Sequence, residues 1–328
     1  MGGGGSETRV AIVDATRPAF NGVMLPSQSA SMQGTFAIPP PLTPGDVVIV
    51  VAPSSPFPSD ELWRGLAWLR TRYRIRVAPG IFERDGYLAG ADERRRAELD
   101  RALRDPDAKA IVAVRGGYGA LRIADQVTWG ELVARPRWVV GFSDVTVLLA
   151  MAWRAGVAAI HGPNVTGLGP AASPTVRAAW LASLERPRDA RVWRGLRVIH
   201  RGQARGPLVG GNLAIVHTLA TAGRLVIPEG AVLALEDVTE APYRVDRMLT
   251  SLHLGGHLAR ASAVVFGGFA RCDPGPDGRT IDDVLEERTR SLRVPVVGNA
   301  PFGHGMNNEA FVIGMPALVR DDEVHLAT

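Results

Sequence analysis

The chain has 328 residues, 46% of them hydrophobic and 21% charged, which is typical of a soluble globular protein with room for two domains. Its formal net charge is +4, but the basic residues are nearly all arginines spread along the chain beside acids, which disfavours a nucleic-acid-binding protein. The single cysteine, Cys272, excludes an internal disulfide, and no stretch is apolar over the ~18 residues that a membrane span needs.

Residues 1–44 differ in composition from the rest of the chain. They open with four consecutive glycines, continue through Ser, Gln, Thr and Pro, and end in the Pro39-Pro40-Pro41 run. Such a segment buries little apolar surface, so we expect a flexible extension. It lacks the basic and apolar regions of a secretory signal, so we expect a cytoplasmic protein.

Residues 45–165 alternate between short Val- and Ile-rich segments and segments with helical spacing. The clearest helices begin at Ser59 and Asp92. The predicted strands are 47–53, 74–79, 110–114, 137–142 and 157–160. This alternation predicts a parallel sheet with helices on both faces.

The pattern weakens over residues 166–205, where prolines surround one helix-like stretch at 178–184, and we predict a linker there. Residues 206–328 form a second α/β pattern, with helices starting near Asn212 and covering about 243–254 and 281–291. The predicted strands are 231–235, 263–266, 294–297, 310–314, 316–320 and 323–327.

Two polar segments follow strands of the first pattern, at the edge where parallel sheets gather functional groups. The turn RGGYG, Arg115 to Gly119, offers glycine amides to a phosphate or an oxyanion, or it is a plain tight turn. It lacks the G-x-G-x-x-G fingerprint, so no dinucleotide cofactor is predicted. Ser143, in GFSDVT, lies on a strand-to-helix turn that would expose a nucleophile; alternatively, Ser143 or Asp144 only caps the helix.

Two further segments follow strands of the second pattern. Glu236 and Asp237 come directly after an apolar strand, where an acid can orient a histidine or merely cap the next helix. His304 lies between two glycines, which places it against a backbone or a ligand. His253 and His257 are separated by two glycines that would break a shared helix, so we predict no metal site.

Together these segments resemble the serine LD-carboxypeptidase family, which includes the muramoyltetrapeptide carboxypeptidases of peptidoglycan recycling and the microcin-immunity peptidases. The similarity extends from about Gly45 to the C-terminus. The matching blocks are GDVVIVVAPSSP (45–56), YLAGADERRRAELDRAL (87–103), RGGYGALRI (115–123), GFSDVTVLL (141–149), HGP (161–163), GPLVGGNL (206–213), LALEDVTEAPYRVDRML (233–249) and PFGHGMNN (301–308).

The resemblance implies a Rossmann-like N-terminal domain, a smaller C-terminal α/β domain of different topology, and a homodimer. It implies that Ser143 is the nucleophile, His304 the general base and Glu236 the acid that orients it, with no metal or organic cofactor. For the oxyanion hole we expect the amides of Asp144 and Gly117, the latter chosen over Gly116.

An exopeptidase also binds a terminal carboxylate, and Arg115 is our candidate because it adjoins the glycine turn, with Tyr118 beside it as a second substrate-binding candidate. RGGYGALR favours the murein branch, so the expected reaction releases terminal D-Ala from cytosolic murein tetrapeptide. The alternative is an immunity-type peptidase that cleaves a peptidyl- or aminoacyl-nucleotide antibiotic. A non-catalytic protein that binds an anion through the glycine turns is a rival from another class.

Overall fold

The structure is a computed structural model that describes Met1, residues 36–305 and residues 307–327. Its α-helices are α1 (Ser59–Arg70), α2 (Asp92–Arg104), α3 (Ala120–Ala124), α4 (Gly130–Ala134), α5 (Thr146–Arg154), α6 (Pro174–Glu185), α7 (Leu213–Thr221), α8 (Pro242–Leu254) and α9 (Ile281–Thr289). Its β-strands are β1 (Val47–Val51), β2 (Arg74–Val77), β3 (Ala108–Ala113), β4 (Trp138–Gly141), β5 (Ala159–His161), β6 (Arg191–Trp193), β7 (Arg197–His200), β8 (Gln203–Asn212), β9 (Ala231–Val238), β10 (Ala261–Ala270), β11 (Val296–Gly298), β12 (Phe311–Ile313), β13 (Pro316–Arg320) and β14 (Glu323–Leu326). None of the helices in these ranges has the length and apolar composition of a membrane-spanning segment.

The first sheet has the strand order β12-β5-β4-β3-β1-β2. Strands β1 to β5 run parallel, and β12 pairs with β5 in the antiparallel direction. The order 2-1-3-4-5 is a doubly wound arrangement, in which a crevice opens at the carboxyl ends of the strands. The predicted α/β class is confirmed, and the turns after β3 and β4 lie side by side at this edge.

Strand β1 shows why its sequence is apolar without interruption. Val47, Ile49 and Val51 pack into one core with apolar residues of α2, and Val48 and Val50 pack into another with those of α1. Because successive side chains of a strand point to opposite faces, a strand covered by helices on both faces needs apolar residues at every position. The run VVIVV therefore specifies a central strand.

The second sheet has the order β6-β14-β13-β8-β9-β10-β11-β7. Strands β8 to β11 are parallel, and the remaining four add to its edges in the antiparallel direction. The carboxyl ends of β9 and β10, and the loop that follows β11, carry polar residues that meet those of the first sheet. Functional groups from both halves of the chain therefore converge on one region.

The packed part of the chain begins before residue 45, where the sequence predicts that the flexible extension ends. The expectation for residues 2–35 lies outside the described residues, but 36–44 are packed. Ala37 pairs with Val157, the indole N–H of Trp138 donates to the Pro40 carbonyl at 2.9 Å, and Leu42 is buried. The prediction of a flexible segment up to residue 44 is therefore wrong for 36–44, because its prolines lie among aliphatic residues that cover the sheet.

The predicted linker, 166–205, is also more structured than expected. It contains α6 and two short strands, β6 and β7, which pair with β14 and β11 at the two edges of the second sheet. These strands are only 3 and 4 residues long and half-exposed, so they show little apolar periodicity. The division into domains at 45–165 and 206–328 stays a prediction.

Leu42→Ala tests the packing of the segment before β1. Leu42 is 2% exposed and contacts the core under α1, so we expect its truncation to lower the free energy of unfolding by about 2–4 kcal/mol. Urea unfolding followed by circular dichroism measures this, with Pro44→Ala, at an exposed position, as control. Equal midpoints for Leu42→Ala and wild type would contradict the packing.

Candidate active site

A cleft of about 940 Å³ lies where the carboxyl edges of the two sheets meet. One wall comes from α1, from the turns after β3 and β4, and from residues 163–172. The other comes from the ends of β9 and β10 and from the loop around His304. Ser143, His304, Arg115 and Gly117 line this cleft, so the structure brings together segments that lie far apart in the sequence.

Ser143 lies on a strained turn between β4 and α5. Its φ angle is 64°, in the left-handed region that costs a residue other than glycine about 1 kcal/mol or more. A short 3₁₀ turn, Ser143–Val145, leads into α5, and Asn164 accepts from the Phe142 amide at 3.2 Å. The turn presents a half-buried hydroxyl at a helix start, as a nucleophile elbow does.

Gly116 allows the turn after β3 to approach this serine. A Cβ at position 116 would lie 2.8 Å from the Ser143 Cβ and 3.0 Å from its Oγ, so any side chain would displace the hydroxyl. The Gly116 carbonyl accepts from the Ser55 amide at 3.3 Å. Because C=O and N–H point in opposite directions across a trans peptide, the Gly117 N–H is directed away from the Ser55 amide.

His304 and Glu236 make a direct polar contact at the edge of the cleft. The ring Nδ1 of His304 lies 2.7 Å from Glu236 Oε2, and its backbone N–H donates to the same oxygen at 3.2 Å. Glu236 is fully buried, whereas the imidazole is 18% exposed toward the cleft. A Cβ at position 303 would lie 2.6 Å from Oε2, so the glycine before His304 is required for this contact.

Asp237, the other acid at this strand end, points to the opposite face of β9. It accepts hydrogen bonds from the Asn212 side chain at 3.0 Å and from the Ala214 and Val238 amides at 3.0 and 2.8 Å. Burial raises the pKa of Asp237 to about 6, although these hydrogen bonds oppose the shift. The structure therefore brings Glu236, and not Asp237, to His304.

Asp144, next to the serine, fastens two turns together. Its buried carboxylate accepts from the Ala120 amide at 2.9 Å, and Ala120 begins the helix that follows the glycine turn. Burial raises the pKa of Asp144, an effect that the Ala120 hydrogen bond opposes. Its side chain thus ties the turn after β3 to the turn after β4.

The two substrate-binding candidates occupy different environments. Arg115 lines the cleft and donates from Nη1 to the Pro56 carbonyl at 2.6 Å, which anchors one side of the guanidinium. Tyr118 is 49% exposed, packs edge-on against Tyr87 at 5.7 Å, and is not among the residues that line the cleft. The structure brings Arg115, but not the Tyr118 ring, to the serine and the histidine.

His161 is buried near the site, and no role was predicted for it from the sequence. Its ring stacks on Phe311 at 4.7 Å and contacts Phe142, whose ring lies 4.7 Å from that of His304. Neither ring nitrogen has a hydrogen-bond partner among the described residues. Burial lowers the pKa of His161 to about 4, and the charge of Glu236 opposes the shift. The ring is therefore neutral at pH 7.

Glu61 and Arg271 also line the cleft and were missed. Glu61 lies in the first turn of α1, and no role was predicted for it. Arg271 follows β10, which was predicted to end at Phe266, directly before two glycines. The strand instead continues to Ala270 through a register shift between Phe266 and Phe269. Extending the strand in the sequence would have placed Arg271 at the same functional edge.

Two family models match the chain. The model of the LD-carboxypeptidase N-terminal domain matches residues 48–162, and that of the LD-carboxypeptidase C-terminal domain matches residues 205–319. The first match contains Ser143, and the second contains Glu236 and His304.

Individual relatives agree with these models. The murein tetrapeptide carboxypeptidase of Pseudomonas aeruginosa is 35% identical over 84% of this chain and 94% of its own length. The crystal structure of muramoyltetrapeptide carboxypeptidase from Oxalobacter formigenes superposes with a TM-score of 0.78 at 26% identity, covering 85% of this chain and 97% of that one. The microcin C7 self immunity protein MccF, in complex with aspartyl sulfamoyl adenosine, has a TM-score of 0.81 at 18% identity over 89% and 98%, which shows a shared fold.

The buried His161 predicts a pH-dependent stability. A histidine whose pKa is lower in the folded state than its unfolded 6.5 favours folding above pH 6.5, and that contribution is lost as the pH falls toward 4. The shift to about 4 corresponds to roughly 3 kcal/mol. We expect His161→Phe to remove this part of the acid destabilisation.

Urea unfolding at pH 7, 5.5 and 4.5 measures it, with His253→Phe, at an exposed position, as control. Parallel losses of stability in wild type and His161→Phe over this range would contradict the prediction.

Proposed function

The chain belongs to the LD-carboxypeptidase family and is a serine-type carboxypeptidase, and we propose that it releases terminal D-alanine from murein tetrapeptide in peptidoglycan recycling. The observation that carries the proposal is the convergence, in one cleft, of the strained Ser143 turn with a histidine held by a buried glutamate. The names of the relatives, which specify murein tetrapeptide, support the choice of substrate.

In the proposed acylation step, His304 removes the hydroxyl proton as the Ser143 oxygen attacks the carbonyl that precedes D-alanine. The Nδ1 contact with Glu236 fixes the ring so that Nε2 serves as the base, and the buried carboxylate stabilises the imidazolium. His304 then returns the proton to the leaving amine. D-alanine departs, and the tripeptide stays attached to the serine as an ester.

The oxyanion that forms in this step needs preorganised N–H donors. We assign the Asp144 amide, at the helix start next to the serine, and the Gly117 amide, which points away from Ser55. The Asp144 carboxylate supports both assignments, because its hydrogen bond to Ala120 fixes the spacing of the two turns. Water then attacks the ester with His304 again as base, which releases the tripeptide and regenerates the hydroxyl.

The terminal carboxylate of the substrate needs a cation near the serine. We assign it to Arg115, whose guanidinium lines the cleft with one side held by Pro56, which leaves further N–H groups for a carboxylate. Tyr118, in the same turn, would contribute only where a longer substrate extends beyond the cleft. Of these two residues, Arg115 lines the cleft and Tyr118 does not.

Murein peptides of the recycling route are cytosolic, so we propose that the protein is cytoplasmic. Its single cysteine, Cys272, agrees with this, because cytosolic proteins rarely depend on disulfides. We also propose a homodimer, on the ground of the family resemblance, and no nucleic-acid partner, because many arginines are engaged in ion pairs. Examples are Arg76 with Asp105 at 2.6 Å and Arg224 with Asp125 at 2.8 Å.

Ser143→Ala tests the nucleophile and the reaction together. We expect wild type to remove one alanine residue from murein tetrapeptide, and Ser143→Ala to lower kcat by a factor on the order of 10⁴–10⁶ because no acyl-enzyme can form. Mass spectrometry of the peptide products measures this, with the exposed Ser291→Ala as control. Equal loss of alanine with Ser143→Ala would exclude this nucleophile.

An aminoacyl sulfamoyl nucleotide or its cleavable analogue serves as the second substrate in the same assay. Hydrolysis of that compound with no release of alanine from murein tetrapeptide would replace the proposed function with the immunity-type activity.

Arg115→Gln tests recognition of the terminal carboxylate. We expect KM for murein tetrapeptide to rise about tenfold to hundredfold, the effect of losing a charge-assisted hydrogen bond, with a smaller change in kcat. A substrate that ends in D-alaninamide should bind equally weakly to both proteins. An unchanged KM for the free acid would remove Arg115 from the site.

A further inference from the structure

Five ionisable side chains line the described part of the cleft, and three of them have partners. Arg64 pairs with Asp60 at 3.0 Å, while Arg115 and His304 make the contacts given above. Within residues 36–305 and 307–327, Glu61 and Arg271 form neither an ion pair nor a hydrogen bond through their side chains. Among the described residues, the cleft therefore holds one unpaired acid, Glu61, and one unpaired arginine, Arg271.

The two charges reach the cleft from different sheets. Glu61 lies in the first turn of α1, which packs on the first sheet. Arg271 directly follows β10 of the second sheet and has a φ of 54°. A ligand that satisfied both would carry a carboxylate for Arg271 and an ammonium for Glu61, because each side chain offers only donors or only acceptors when it is charged.

A murein tetrapeptide carries such a pair of groups at one place. The terminal D-alanine offers a carboxylate alone. The residue before it is diaminopimelate, whose side chain ends in a carbon that bears both a carboxylate and an ammonium. We propose that Arg271 and Glu61 bind this zwitterionic side-chain end and make the cleft selective for diaminopimelate over lysine before the scissile bond. The inference rests on the proposed function and identifies the residues that select its substrate.

The size and the position of the cleft fit this assignment. A volume of about 940 Å³ is at the upper end for small-ligand sites and accommodates a long side chain beside the scissile bond. Arg115 lies beside the glycine turn next to Ser143, whereas Arg271 approaches from the second sheet. The two arginines can therefore hold two different carboxylates of one substrate.

The test uses three tetrapeptides that end in D-alanine and differ only at the third residue. The first contains diaminopimelate, the second diaminopimelate with its side-chain carboxylate amidated, and the third lysine. Values of kcat/KM are measured for wild type, Arg271→Gln and Glu61→Gln. The matched controls are Arg293→Gln, an exposed arginine with a φ of 52° outside the cleft, and Glu93→Gln, an exposed first-turn acid of α2.

We expect Arg271→Gln to lower kcat/KM about tenfold to hundredfold for the diaminopimelate substrate only, because the other two lack the carboxylate that it binds. Wild type should prefer diaminopimelate over both analogues by the same factor. Glu61→Gln should lower kcat/KM for all three substrates, since each carries the ammonium, and N-acetylation of that amine should abolish the effect. The control variants should match wild type.

Equal losses with Arg271→Gln on all three substrates, or no loss on any, would overturn the proposal. Calorimetric binding of the same peptides to Ser143→Ala separates this result from a failure of the proposed function. Release of alanine without discrimination by Arg271 would remove the selectivity site and leave the peptidase. Neither release of alanine nor binding of any of these peptides would remove both.

Discussion

The contact between His304 and Glu236 is the constraint on which the site depends. A fully buried carboxylate is costly unless it is hydrogen-bonded, and here one oxygen accepts from both the ring and the backbone of the same histidine. That double contact fixes the imidazole with an edge toward the cleft. It also requires a glycine at position 303, because a side chain there would collide with the carboxylate. The glycine that precedes His304 is thus explained by the acid on a neighbouring strand.

Left-handed backbone conformations occur at the ends of strands on both walls of the cleft. Ser143 adopts a left-handed conformation at the end of β4, and Arg271 does so after β10. Such conformations persist only where the surroundings over-determine them, and they concentrate at functional sites. Both residues stand where parallel strands deliver side chains to the edge of a sheet. The two sheets thereby contribute Ser143 from one side and His304, Glu236 and Arg271 from the other.

The strength of the local sequence patterns explains which parts of the fold could be predicted from the sequence. Continuous apolar runs such as VVIVV identify strands buried on both faces, and α2 begins as predicted, at Asp92. Strands β6 and β7 were missed because edge strands of three or four residues carry no periodicity. Arg271 was missed because Gly267 and Gly268 resemble a strand end, whereas β10 continues through them with a shifted register. The contact of Glu236 with His304 depends on which face of β9 points toward the cleft, so the choice over Asp237 relied on family resemblance.

A buried arginine, Arg95, holds the turns around Ser143 together and so accounts for a part of the arginine-rich composition. Arg95 is fully buried and donates to the Gly119 carbonyl at 2.8 Å, and a neighbouring N–H of the same guanidinium pairs with Asp92. The carboxylate of Asp144, the residue after Ser143, accepts a hydrogen bond from the amide of Ala120, the residue after Gly119. A buried cation and a buried anion therefore hold opposite ends of one peptide group that closes the glycine turn. Gly117 lies two residues before Gly119, so these two contacts also fix the amide that we assigned to the oxyanion. The charge of Arg95 therefore serves the architecture of the site.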